Sequence, residues 1–165
     1  MGRTVRIRND LISDAKKKIM KKIVMGLIAA VMLLQVRAEE LQWLTDLPKA
    51  QAQAKSEKKL VMLDFTGSDW CGWCIKLHNE VFSKPEFAEY AKKNLVLVEV
   101  DFPQKKKQSE ELKKANTALQ EKYKIEGYPT IIVLDGEGKK VGELGYQPGG
   151  PKAFTAELDK LKNKS

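Results

Sequence analysis

Apolar residues fall along the chain in short blocks separated by charged stretches, and the blocks follow different periods. Residues 60–65 (Leu-Val-Met-Leu-Asp-Phe), 95–100 (Leu-Val-Leu-Val-Glu-Val) and 130–134 (Thr-Ile-Ile-Val-Leu) are runs with almost no polar interruption. Runs this short, bounded by breakers such as Gly67-Ser68, predict buried strands. Asp135-Gly136-Glu137-Gly138 supplies turn chemistry and leads into a further strand over 140–145. Between these runs the apolar positions are spaced for helices. Thr45 or Asp46 caps one that runs to about Lys58, with Pro48 in its first turn and Ala50, Ala52 and Ala54 along it. A second begins near Cys71. Ser83-Lys84-Pro85-Glu86 has the form of a capping box and marks a kink or a fresh start running to about Lys93. Residues 110–123 predict another helix. Gly149-Gly150-Pro151 breaks the chain before a last one over about 152–162, where Phe154, Leu158 and Leu161 recur at helical spacing. Leu41 to Leu44 is a short apolar opening around Trp43. Strands and helices alternate first, then a hairpin and a closing helix follow. The pattern predicts an α/β domain with a central mixed sheet of about four to five strands and helices on both faces.

One apolar run differs from the rest. Residues 23–34 are apolar without interruption, follow Lys21-Lys22, and give way through Gln35-Val36-Arg37-Ala38 to polar Glu39-Glu40. A basic segment, a short apolar segment and small residues at the boundary are the parts of an export signal, with cleavage expected between Ala38 and Glu39. As a helix those twelve residues span about 18 Å, short of the roughly 30 Å hydrocarbon layer an uncleaved anchor has to cross. The chain thus divides into a leader over 1–38 and a folded domain over 39–165. Because Met20-Lys21-Lys22 makes a compact basic start, translation is expected to begin at Met20.

Charge sharpens this division. The 165-residue chain carries a formal +8, of which residues 1–38, with nine basic and two acidic groups, hold +7. A nucleic-acid binder carries its positive field on the folded domain. Here the domain is nearly neutral, so that class is excluded.

The only two cysteines are Cys71 and Cys74. A pair separated by two residues closes a trivial loop, so it is no structural staple. Structural zinc needs about four ligands, and beyond the pair only His78 is at hand. Covalent haem needs a histidine directly after Cys74, where the chain has Ile75. Two inert core cysteines remain an alternative, although a Gly72-Trp73 spacer on a turn argues against burial of both. A redox pair fits the spacing. Residues three apart on a helix share a face at about 5–6 Å, within the Cα separation a disulfide requires. At a helix start, Cys71 meets unpaired N–H groups and the positive end of the dipole, which favour thiolate. Cys71 is then the attacking thiol and Cys74, one turn deeper, the resolving one. The Lys105-Lys106-Lys107 tract reads as a solvated loop, and His78 as a solvent-facing helix residue.

Trp70-Cys71-Gly72-Trp73-Cys74 resembles the active-site segment of thioredoxin-fold proteins, and Gly127-Tyr128-Pro129-Thr130 resembles their second hallmark. The likeness runs from about Trp43 to Leu161 and is nearest to the exported thioredoxin-like subfamily. It implies the thioredoxin fold and a thiol–disulfide oxidoreductase acting on protein or peptide substrates, with no cofactor beyond the Cys71–Cys74 disulfide and no metal. It implies that Pro129 is cis and frees the Tyr128 backbone to pair with a substrate strand. Trp70, Gly72 and Trp73 then join Tyr128 and Pro129 in binding substrate, Trp70 serving either docking or packing. Asp64 resembles the buried acid that moves a proton for the resolving thiol, but it stands one residue farther from the cysteines than that pattern has it. A relay and a structural role therefore both stay open. The lysine that often accompanies that acid is missing, and Glu99 occupies its region. No fused domain or nucleotide-binding glycine motif supplies electrons, so a membrane-bound partner is expected to recharge a soluble, monomeric domain outside the cytoplasm. Reduction is the favoured direction. Oxidation or isomerisation, and a client-binding module without turnover, are the alternatives.

Overall fold

A computed structural model describes residues 41–163. The expected leader, its cleavage point and the Met20 start lie outside the described residues. Ten elements follow in chain order: β1 (Trp43–Leu44), α1 (Leu47–Glu57), β2 (Leu60–Thr66), α2 (Gly72–Leu77), α3 (Pro85–Asn94), β3 (Leu95–Asp101), α4 (Glu110–Tyr123), β4 (Thr130–Leu134), β5 (Lys140–Leu144) and α5 (Gly150–Lys162). A π-helical turn, His78–Phe82, continues α2. The strands form one mixed sheet in the order β1-β3-β2-β4-β5. β1 and β2 run parallel to β3, whereas β4 lies antiparallel to β2 and to β5. The apolar opening at Trp43-Leu44 is thus a fifth strand, paired with Leu97 and Val98.

Strand parity builds two cores. Leu60 and Met62 of β2, Leu95 and Leu97 of β3, and Ile131 and Val133 of β4 face Leu77, Val81, Phe87, Ala91, Phe154 and Leu158 from α2, its π turn, α3 and α5. The alternate residues Val61, Leu63, Phe65, Val96, Val98 and Ile132 face Ala50 and Ala54 of α1, with Leu119 and Tyr123 of α4 partly buried against them. The alanines of α1 let that helix approach the sheet closely. Both faces of the strands are covered, which is why they read as continuous apolar runs rather than alternating ones.

The helix ends follow the expected chemistry with one exception. Asp46 caps α1 by accepting from Lys49 N–H at 2.9 Å, and Ser109 caps α4 by accepting from Leu112 N–H at 3.2 Å. The capping box at Ser83 does not form. Helix α3 starts at Pro85 after Lys84, and the Ser83 hydroxyl instead donates to the Asn79 carbonyl at 3.0 Å. The π turn carries the chain on to Phe82, so Ser83 closes the preceding helix and is no longer placed to cap the next.

Candidate active site

The site forms where β2 and β3 end. β2 is regular through Thr66, and a tight turn follows in which Gly67 O accepts from Trp70 N–H at 3.2 Å and Cys71 N–H at 2.9 Å. That turn takes up the extra residue between Asp64 and the cysteines. Gly67 is required there, because a Cβ at this position would stand 2.5 Å from the Trp70 indole. Cys71 is the N-cap of α2, and its sulfur accepts from Cys74 N–H at 3.2 Å. Cys71 and Cys74 are disulfide-bonded with Cα atoms 5.2 Å apart. Both are nearly buried, at 7% and 4% exposure. The sequence argued against burial of both. Bonded to each other, and with the Cys71 sulfur turned onto the Cys74 amide, the two side chains present little surface, although the Gly72 and Trp73 spacer between them is exposed.

Two aromatic groups border the pair in sequence and space. On one side the Trp70 indole, 41% exposed, donates to the Phe102 carbonyl at 2.7 Å and meets the Tyr128 ring edge-on with centroids 5.9 Å apart. Tyr128 in turn stacks on Phe102 at 5.3 Å. The Tyr128–Pro129 peptide is cis, and the contact of this loop with the active-site turn runs through Trp70, next to Cys71 in the chain. On the other side Trp73, 57% exposed, lies against Tyr146 with ring centroids 5.0 Å apart. The exposed large hydrophobics among the described residues are Trp70, Trp73 and Ile75, all within four positions of Cys71. Gly72 has open space where a Cβ would stand.

Carboxylates gather at the ends of β2 and β3, on one face of the sheet. Asp64 pairs in register with Glu99, and Thr66 with Asp101. Parity places Asp64, Glu99 and Asp101 on the same face as Met62 and Leu97, the face that carries α2. Asp64 is buried, and its Oδ1 finds no hydrogen-bond partner. Burial first, and then the charges of Glu99 and Asp101, push its carboxyl up to about 8. Half-buried Glu99 is likewise raised, by burial and by Asp101, against the opposing pull of Lys106 and His78. Asp101 instead spends its oxygens on Ser68, accepting from its N–H at 2.9 Å and its hydroxyl at 2.6 Å.

Several of these residues escaped the sequence reading. Asp69 accepts from the N–H groups of Gln104, Lys105 and Lys106 at 2.8 to 2.9 Å, and these bonds hold its carboxyl below the usual range. The Lys105–Lys107 loop is exposed, as expected, but its backbone is tied to the active-site turn. Lys106 Nζ also donates to Ser68 Oγ at 3.1 Å. No local signal marks Asp69, since its partners lie 35 to 37 residues away. His78 is exposed at the start of the π turn.

A family model described as a thioredoxin-like domain matches residues 47–162. The disulfide bond reductase DsbH of Chlamydia pneumoniae is 40% identical over 123 residues, 74% of this chain and 74% of its own. The thioredoxin-related protein DsbJ of the same organism is 32% identical over 108 residues, 66% of this chain but only 31% of DsbJ. A solved structure described as a DsbH oxidoreductase superposes with a TM-score of 0.71 at 38% identity, covering 77% of this chain and 88% of that one.

Proposed function

The chain belongs to the thioredoxin-like family and is a thiol–disulfide oxidoreductase with the Cys71–Cys74 disulfide as its redox group, and from that footing we propose that it reduces disulfides in exported proteins. The observation that carries this reading is the contact of Trp70, the residue before Cys71 at the helix start, with Tyr128, whose peptide to Pro129 is cis. The likeness to a disulfide bond reductase favours the reducing direction.

In the proposed cycle the reduced protein begins with Cys71 as thiolate, stabilised by the amides of the first turn of α2, of which Cys74 N–H already points at its sulfur. That thiolate attacks a client disulfide, forms the mixed disulfide and releases one client sulfur as thiolate, which takes up a proton. Cys74 then loses its proton and attacks Cys71 Sγ. The Cys71–Cys74 bond forms, the second client sulfur leaves, and two electrons have passed to the client. Asp64 is proposed as the acceptor of the Cys74 proton, because a buried carboxyl raised to about 8 exchanges a proton near neutrality. The backbone beside cis-Pro129 pairs with the client as an added strand, and Trp70, Gly72, Trp73 and Tyr128 complete the surface against which it docks. A dithiol donor, proposed to be a membrane-bound partner, recharges the pair.

Cys74→Ser, expressed in the native host, is expected to accumulate clients as mixed disulfides on Cys71, and Cys71→Ser to lose insulin reduction altogether. No trapped client and unchanged turnover in Cys71→Ser would sink the exchange reading. A pair potential near the oxidising end of the range from about −270 to −120 mV would reverse the direction. Export is proposed from the leader pattern. The protein recovered from its host is expected to begin at Glu39, and an intact leader on N-terminal sequencing would count against export.

A further inference from the structure

Trp73, Lys76 and Glu80 recur at intervals of three and four, so they line one face of the helical stretch from Gly72 to Phe82. Tyr146, two residues beyond β5, folds onto that face and joins them. Lys76 Nζ stands 5.1 Å from the centroid of the Trp73 ring and 5.0 Å from that of Tyr146. The two rings are themselves in contact at 5.0 Å. The Tyr146 hydroxyl donates to Glu80 Oε2 at 2.8 Å, and Lys76 Nζ lies 4.0 Å from Glu80 Oε1. The Tyr146 oxygen beside Lys76, and to a lesser extent Glu80, also raise the pKa of its amino group.

The cluster has a consequence for the active site because Trp73 belongs to the spacer between the cysteines. An indole left 57% exposed in the first turn of a helix gets little from the core to fix its rotamer. Here one ring, one cation and, through Tyr146, one carboxylate hold it, so its order is present before any client arrives. Docking onto a wall already fixed loses less side-chain entropy than docking onto a mobile one. The wall also lies beside the proposed client track. A Cβ on Gly145, the residue before Tyr146, would stand 3.7 Å from the Pro129 carbonyl.

We propose that Lys76, Tyr146 and Glu80 are positioning residues that hold Trp73 as a fixed docking wall and thereby set the affinity for polypeptide disulfides without acting on the thiol chemistry. The proposal rests on the exchange reading above. A staple that merely fastened the β5–α5 loop to α2 would change stability alone, whereas a docking wall changes KM for large substrates and spares small ones.

The full chain is assayed with dithiothreitol as electron donor, on insulin and on hydroxyethyl disulfide, a substrate too small to reach the wall. Tyr146→Ala is expected to raise KM for insulin about fivefold, the loss of one ring pair and one cation contact. Its kcat, and its rate on hydroxyethyl disulfide, stay at the parent values. Lys76→Met shifts KM the same way by less. Tyr146→Phe keeps the ring and loses only what the hydroxyl makes, the Glu80 bond and its interaction with Lys76, so it falls between parent and alanine variant and guards against a folding defect. Unchanged KM in all three variants overturns the proposal while leaving the exchange reading intact. So does a parallel loss on both substrates, which would place the effect on the thiols. A parent protein that turns over hydroxyethyl disulfide but not insulin overturns the docking wall with the client assignment; one that turns over neither overturns the exchange reading itself.

Discussion

Asp64 is where one side chain's chemistry can be followed furthest. It stands in a run of apolar residues, so its burial is legible in the sequence. Burial is also the larger cause of its raised pKa, but the acids that add to it, Glu99 and Asp101, arrive from a strand more than thirty residues away, which no local pattern shows. A carboxyl raised to about 8 in the folded protein has an unfolded value near 4. Between those limits the folded chain binds the extra proton. Stability therefore falls as pH rises through the window, with a slope of at most about 1.4 kcal/mol per pH unit from this group. Asp64→Asn removes that slope. Urea unfolding of parent and variant is expected to give curves that diverge steadily from pH 4 to 8, the variant becoming the more stable, and curves that stay parallel would refute the assignment. The same variant separates the two roles left open for Asp64. A relay slows the Cys74 step in single-turnover insulin reduction, whereas a purely structural acid leaves it unchanged.

Among the elements, the central strands β2, β3 and β4 are legible almost to the residue, because both their faces are buried and their apolar runs are continuous. Helix ends were read less well. Ser83 and Glu86 have the spacing of a capping box, yet the π turn delivers Ser83 as the C-terminal cap of one helix rather than the N-terminal cap of the next. Whether a helix runs past its expected end depends on the packing of Val81 and Phe82 into the core, which a local pattern does not contain. Helix α4 ends on Lys124 in the left-handed conformation, φ 55°, with its N–H bonded back to Gln120 and Glu121 carbonyls. A lysine there bears a Cβ clash that glycine avoids. Lys124→Gly is expected to raise the free energy of unfolding by about 1 kcal/mol, seen as a higher urea midpoint at unchanged slope.

At the scale of the molecule, the sheet order sets what the site can do. Because β2 lies between β3 and β4, the turn after β2 meets both the loop after β3 and the cis-proline loop before β4, with Trp70 touching Phe102 and Tyr128. The hairpin partner β5 then brings Tyr146 to the far face of α2. By itself the sequence determined the alternation of strands and helices, the fold class and the cysteine pair at a helix start, because burial period, turn chemistry and residue spacing are local quantities. Only the tertiary structure decided which distant groups converge on that pair. It brought the Asp69 carboxylate to the 104–106 amides, set Glu99 and Asp101 about Asp64, and laid Tyr146 on Trp73. Those contacts join segments up to seventy-odd residues apart, so their existence depends on strand order and register rather than on any neighbouring residue. The redox pair is a local feature of the chain; the environment around it is not.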